Sequence, residues 1–123
     1  MARLFALAST ALTLFTLIAS SAAHAHAVVV NATPVARSTI AGPDCPVDIT
    51  FNSRIDVSRS RLAVIDDAGK SRPLTLDAVA EPNRLRATAR GLAAGGHVLE
   101  WYVLSTDGHI TRGRLKFTVG SPD

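Results

Sequence analysis

Apolar and polar residues alternate along much of the chain, in short runs bounded by residues typical of turns. The run at 97–105 is the strongest, and Trp101 in its middle is expected in the core. Seven such runs occur, at 28–30, 47–51, 61–65, 72–76, 85–89, 97–105 and 115–119. No segment combines a helical period with capping residues. The pattern predicts an all-β fold, an immunoglobulin-like Greek-key β-sandwich of about seven antiparallel strands.

The first 25 residues have the pattern of a secretory signal peptide. Arg3 precedes an apolar run at 4–19, and Ala23-His24-Ala25 follows the small-x-small rule for cleavage. The run is shorter than the roughly 20 apolar residues of a membrane-spanning helix and is interrupted by serine and threonine, which disfavours the alternative of an uncleaved anchor. We predict a signal peptide at 1–25, cleavage before His26, one domain at 26–123 and a periplasmic location.

A second cleavage site, after Ala23, is also compatible with the sequence. The mature chain would then begin His24-Ala25-His26, an amino-terminal Xaa-Xaa-His arrangement. Its amine, backbone amides and imidazole could chelate Cu(II) or Ni(II) within a tail, without help from the rest of the domain.

The charge of the chain is small and dispersed. Thirteen Lys and Arg against ten Asp and Glu give a formal charge of +3, and removal of Arg3 leaves 12 against 10, or +2. The basic residues form no continuous block and aromatic residues are few. No nucleic-acid partner is predicted from this composition.

Sulfur chemistry is limited to one cysteine in the predicted domain. Cys45 has no partner for an internal disulfide, and the first interpretation is a small buried hydrophobe before a strand. Partial exposure, an intermolecular disulfide and a thiolate metal ligand stay open. Apart from Met1 the chain has no methionine, which excludes a thioether-based Cu(I) site.

Strand directions place three distant segments at one end of the predicted sandwich. If successive strands run antiparallel, the first leads away from this end and the second and sixth lead toward it. The start of the domain, the 52–60 connection and the 106–111 turn would then meet, so that His26, Asp107 and His109 can converge. A miscount of one strand before the sixth would separate them.

These three residues form a candidate copper site. A histidine at a free amino terminus supplies its α-amine and its Nδ1 to one metal ion, closing a six-membered chelate ring. A ring nitrogen of His109 and a carboxylate oxygen of Asp107 complete a set that suits tetragonal Cu(II), and suits Ni(II) or Zn(II) less well. Asp-Gly is also a common hairpin turn that often leaves a following histidine merely exposed. His97, expected at the opposite end, is interpreted as structural or surface.

At these positions the sequence resembles the CopC-like periplasmic copper-resistance proteins. The shared pattern is a mature His26 with Thr33-Pro34 downstream, the second strand 49–52, a Trp101 strand leading to Asp107-Gly108-His109, and the closing strand 113–119. The resemblance implies a Greek-key sandwich that holds Cu(II) through His26, Asp107 and His109, without the methionine-rich Cu(I) site. Many members carry an acidic residue where this chain has Ser53, and Asp56 is a weak substitute.

The leading functional hypothesis is a periplasmic Cu(II) carrier or buffer in copper resistance or homeostasis, and not an enzyme. Its expected partners are the copper ion and a membrane copper transporter of the CopD type, with the mature protein a soluble monomer. A histidine-brace oxidative enzyme is an alternative, although Asp107 would fill a position that oxygen needs. A metal-free β-sandwich interaction module is the other alternative.

Overall fold

The structure, a computed structural model, describes residues 27–121, so the predicted signal peptide and His26 lie outside the described residues. Within that range the chain is all-β, and no helix long and apolar enough to cross a membrane is present. The strands are β1 (Val29–Thr33), β2 (Thr39–Ala41), β3 (Cys45–Phe51), β4 (Ile55–Asp66), β5 (Ser71–Leu74), β6 (Arg84–Ala89), β7 (Gly95–Ser105) and β8 (Ile110–Gly120).

The strands form two sheets, and the predicted β-sandwich is confirmed. One sheet has the order β1-β3-β6 and the other the order β2-β8-β7-β4-β5. Each of the seven predicted runs contributes to a strand, and β2 is an additional one. It has three residues and pairs with β8 in parallel, with Thr39 opposite Thr118.

The additional strand does not disturb the predicted strand directions. Strand β1 is antiparallel to β3, and β2 is parallel to β8, which is antiparallel to β7. Strand β2 therefore runs in the same direction as β1, on the other sheet. The predicted 52–60 connection is wrong in extent, since β4 begins at Ile55 and only residues 52–54 connect it to β3. The register of β4 against β7 shifts between Asp56 and Arg61, and this bulge interrupts the alternation of apolar and polar residues in the sequence.

The core lies between the inward faces of the two sheets. Strand β3 alternates buried and partly exposed positions, and its Ile49 and Phe51 are fully buried. Trp101 is 9% exposed, as predicted for a core residue, and packs over Gly113 on β8. A Cβ at Gly113 would overlap the indole ring, so the absence of a side chain there makes room for the tryptophan.

Cys45 belongs to this core. It is 1% exposed, and its thiol lies 3.5 Å from the carbonyl oxygen of Pro46. Burial raises the pKa of the Cys45 thiol, which disfavours the thiolate that metal binding and disulfide exchange require. The structure therefore agrees with the first interpretation, a small buried hydrophobe, and not with partial exposure.

Candidate metal centre

The turn between β7 and β8 carries two of the three predicted ligands. The Ser105 amide donates to the His109 carbonyl at 2.8 Å, and the Gly108 amide donates to the Ser105 carbonyl at 2.9 Å. Gly108 has a φ of 92°, a left-handed conformation that residues with a side chain rarely adopt. These contacts fold the turn tightly enough to bring the side chains on either side of Gly108 together.

Asp107 and His109 are in direct contact. His109 Nδ1 lies 3.1 Å from Asp107 Oδ1, and the same oxygen accepts the His109 backbone N–H at 3.2 Å. Hydrogen bonding from the His109 side chain, then from its backbone N–H, lowers the pKa of Asp107. Both side chains remain close to half exposed, at 40% for Asp107 and 47% for His109. The carboxylate is therefore ionised and open to an approaching cation.

The separation of these two atoms is that of a hydrogen bond, and it is also compatible with two neighbouring ligands of one metal ion. Two ligand atoms that each lie about 2.0 Å from a metal and 3.1 Å from each other subtend about 100° at the metal. This is near the angle between neighbouring ligands of a tetragonal site. Among residues 27–121, however, no group of three His, Cys, Asp or Glu side chains could hold a metal. Within the described residues, Asp107 and His109 therefore supply two side-chain donors at this turn, and not a complete ligand set.

The start of the described chain reaches the same end of the sandwich. The Val28 amide donates to Asn52 Oδ1 at 2.8 Å, and the Asn52 amide donates to the Val28 carbonyl at 2.9 Å. Across the same end, the Thr106 amide donates to the Arg54 carbonyl at 3.3 Å. The 52–54 connection thus bridges the beginning of β1 to the 106–109 turn. Sequence reasoning missed Asn52 as an anchor, because an asparagine after a strand is an ordinary turn residue.

Ser53, at this same end, stands where many CopC-like proteins carry an acidic residue. Ser53 Oγ is buried and has no hydrogen-bond partner among residues 27–121. Asp56 is occupied within the β4 bulge, where its carboxylate accepts the Ser58 hydroxyl at 2.6 Å and pairs with Arg59 at 3.7 Å. The structure gives no support to Asp56 as a substitute for the missing acid.

His97 lies at the opposite end of the sandwich and is structural. It is 6% exposed, its Nε2 lies 2.8 Å from the Ala93 carbonyl oxygen, and its ring stacks on Phe117 at 5.5 Å. Its separation from Asp107 and His109 agrees with the sequence interpretation, while its burial removes the surface alternative.

Comparisons with known proteins point to one family. The family model described as the CopC domain matches residues 29–120. No curated protein matches the chain. Among solved structures, CopC from Methylosinus trichosporium OB3b is 31% identical, with a TM-score of 0.71 and coverage of 80% of this chain and 97% of that one.

Two further solved structures extend the comparison. The methionine-rich copper resistance protein PcoC from Escherichia coli is 25% identical, with a TM-score of 0.60 and coverage of 77% and 99%. The fibronectin(III)-like modules of Clostridium thermocellum CbhA, at 21% identity, a TM-score of 0.52 and coverage of 80% and 99%, share the fold alone.

Proposed function

Since the chain belongs to the CopC family and is a copper-related resistance protein, we propose that it binds Cu(II) as a carrier or buffer through His26, Asp107 and His109. The observation that carries the proposal is the 3.1 Å contact of Asp107 with His109 at the end of the sandwich where the described chain begins. His26 directly precedes Ala27, which is 2% exposed, so an amino-terminal ligand has a firmly held neighbour.

The donor types favour the oxidised form of copper. An imidazole nitrogen and a carboxylate oxygen, joined by an amino-terminal imidazole and amine, suit Cu(II), whereas Cu(I) prefers thioether and thiolate ligands. The only methionine is Met1, and the only cysteine, Cys45, is buried. This composition contrasts with that of PcoC, the methionine-rich copper resistance protein. Metal binding would displace any proton from the coordinating His109 nitrogen, so affinity should fall in acid.

The amino-terminal leader supports a location in the periplasm. Cleavage after Ala25 would expose the α-amine of His26, so export would also complete the metal site. The exported protein would be a soluble monomer that keeps Cu(II) bound or transfers it to a membrane copper transporter of the CopD type. A half-exposed pair at a sandwich end is accessible to such a partner without unfolding of the domain.

A copper titration of the exported protein tests the proposal. Intact mass first determines whether cleavage precedes His26. Wild type should bind one Cu(II) with a nitrogen-rich spectrum in electron paramagnetic resonance, and His26→Ala and His109→Ala should each weaken binding strongly. Asp107→Asn should also weaken it, whereas Asp77→Asn, the same change at an exposed residue elsewhere, should not. Affinity that is unchanged in both histidine variants would refute the site.

The same preparation separates the carrier from the alternatives. A carrier loaded with copper and reduced should consume no oxygen beyond one stoichiometric reoxidation, whereas an oxidative enzyme would turn over. Binding to the native state must raise the melting temperature, whereas a metal-free interaction module would show no shift. If His24-Ala25-His26 is the mature start, Cu(II) should bind without dependence on Asp107 or His109.

A further inference from the structure

The outward side of the five-stranded sheet carries a group of five charged residues and one tyrosine from three different strands. Along β8 they alternate with inward residues such as Gly113 and Leu115, because successive side chains of a strand point to opposite faces. We call this group the basic sheet face, and it consists of Arg61 on β4, Glu100 and Tyr102 on β7, and Arg112, Arg114 and Lys116 on β8. The fold thus concentrates basic residues that form no block in the sequence.

An arginine–tyrosine–arginine stack lies at the centre of the basic sheet face. Tyr102 is paired with Arg61 on one neighbouring strand and with Arg112 on the other. The guanidinium carbon of each arginine lies 5.1 Å from the centroid of the tyrosine ring. Both arginines are exposed, and within residues 27–121 neither has a carboxylate at salt-bridge distance. Cation–π contact orders these groups and leaves their N–H donors available.

The charges of the basic sheet face do not balance. Arg114 is neutralised by Glu100, whose carboxylate accepts from Arg114 Nε at 2.7 Å and from a terminal nitrogen at 2.6 Å. Arg61, Arg112 and Lys116 have no acidic partner among the described residues. A groove of about 690 Å³ runs over the same strands and includes the small side chains of Ala63 and Pro73. The face therefore combines uncompensated positive charge with an open groove.

We propose that the basic sheet face binds an extended acidic segment of a partner protein. Alternate residues on β8 are about 6.8 Å apart, which is also the spacing of alternate side chains on an extended segment. Arg112 and Lys116 occupy the first and third of three such positions on β8, and Arg114 between them is already paired with Glu100. Carboxylates of the segment would meet Arg112 and Lys116, and the arginine stack offers the forked N–H donors that bind carboxylates in two-point contacts.

Two other classes of partner fit the face less well. A membrane surface is usually bound by several apolar side chains as well as charge. Among the described residues the exposed large hydrophobic ones are Val28, Val30, Val35 and Ile110, and of these only Ile110 lies on the outward side of the same sheet. Single-stranded nucleic acid usually stacks its bases on aromatic rings, and the Tyr102 ring is already covered by guanidinium groups.

The basic sheet face adjoins the candidate metal centre through one hairpin. Arg112 follows His109 by three residues, and Tyr102 lies on the strand that leads into the same turn. A segment bound along β8 would therefore end beside Asp107 and His109. Binding of an acidic segment would not require copper, since the face is built from β4, β7 and β8 alone.

A peptide titration tests the inference. The probe is a fluorescein-labelled peptide of alternating serine and glutamate, with a serine–glutamine peptide as its uncharged control, and anisotropy reports binding to the copper-free protein. The acidic peptide should bind, the control should not, and added salt should weaken binding. Amide shifts in nuclear magnetic resonance should map to β7 and β8. Equal binding of the two peptides would overturn the proposal.

Two double variants that remove the same charge distinguish a specific binding site from non-specific electrostatic attraction. Arg61→Gln with Arg112→Gln should lower the affinity for the acidic peptide by roughly tenfold or more. Arg86→Gln with Arg90→Gln removes the same charge on β6 of the other sheet and at the residue that follows it, and should lower the affinity by less than about twofold. Equal losses in the two double variants would overturn the proposal. Circular dichroism and melting temperature confirm that each variant is folded.

Two further probes test the class of partner. Vesicles of phosphatidylglycerol and phosphatidylcholine in equal amounts, and a single-stranded oligonucleotide, are titrated under the same conditions. Tighter binding to either probe than to the acidic peptide, lost in the Arg61→Gln and Arg112→Gln variant, would replace the protein segment by a membrane or a nucleic acid. Weaker binding to both supports the proposal.

Discussion

Replacing Gly113 by alanine tests how closely the two sheets pack around Trp101. An added Cβ would overlap three atoms of the indole ring, so either the ring or the strand must move. Gly120 lies on the same strand and provides a matched control. A Cβ there would meet the Ile40 carbonyl oxygen at 3.6 Å and a Thr39 methyl carbon at 3.7 Å, which are ordinary contacts.

The two substitutions should have opposite signs. Alanine is favoured over glycine within a strand by about 0.5–1 kcal/mol, so Gly120→Ala should stabilise the protein by roughly this amount. At Gly113 overpacking of about 1–3 kcal/mol opposes the same gain and should exceed it, for a net loss of up to about 2.5 kcal/mol. For a domain of this size, each kcal/mol shifts the melting temperature by about 4–8 °C.

Thermal and urea unfolding of the two variants provide the measurement. A double variant with Trp101→Phe frees part of the space beside residue 113, so the penalty of Gly113→Ala should shrink in that background. The difference between the two penalties is the coupling free energy of the pair. If Gly113→Ala stabilises the protein as Gly120→Ala does, or costs the same with phenylalanine at 101, the argument from close packing is wrong.

Three further predictions concern other parts of the described chain. The hydrogen bond from Arg84 lowers the pKa of Asp48. The stability that this pair contributes should therefore be present above the unfolded carboxyl pKa of about 3.9 and lost as pH falls below it. Urea unfolding should show Arg84→Gln as destabilising at neutral pH but not at acid pH. Asn52→Ala removes the acceptor for the Val28 amide and should lower the free energy of unfolding by about 0.5–1.5 kcal/mol. It should also speed hydrogen exchange of that amide, and unchanged exchange would contradict the anchoring role. The buried thiol of Cys45 should react with a disulfide reagent only after denaturation, whereas rapid labelling of native protein would show that it is exposed.

Alternation of apolar and polar residues predicted most of the strands. The prediction failed where a strand is very short or where the backbone departs from regular strand pairing. Strand β2 has only three residues, too few for a period to be visible. The first part of β4 was assigned to a connection, because the bulge between Asp56 and Arg61 breaks the two-residue period. The sequence does not contain the register that aligns Arg61, Tyr102 and Arg112, so their stack needed the three-dimensional structure.

The candidate metal centre could be predicted in part, for a local reason. Asp107 and His109 are separated by one glycine, so their proximity is a property of the turn itself. The contribution of His26 depends on cleavage and on residues outside the described range, and it stays a prediction. His97 could not be placed by type alone, because its burial depends on the Ala93 carbonyl that meets its ring nitrogen.

The parallel pairing of β2 with β8 has a consequence for how the domain assembles. Strand β2 lies at the edge of its sheet, and its one neighbouring strand is β8, the last in the chain. A chain that emerges from its amino terminus therefore cannot fix β2 until almost all of the domain has emerged. The complete five-stranded sheet therefore forms only once β8 is available. Truncation before β8 would leave β2 without a neighbour in its sheet and would expose one edge of β7, which stays paired with β4.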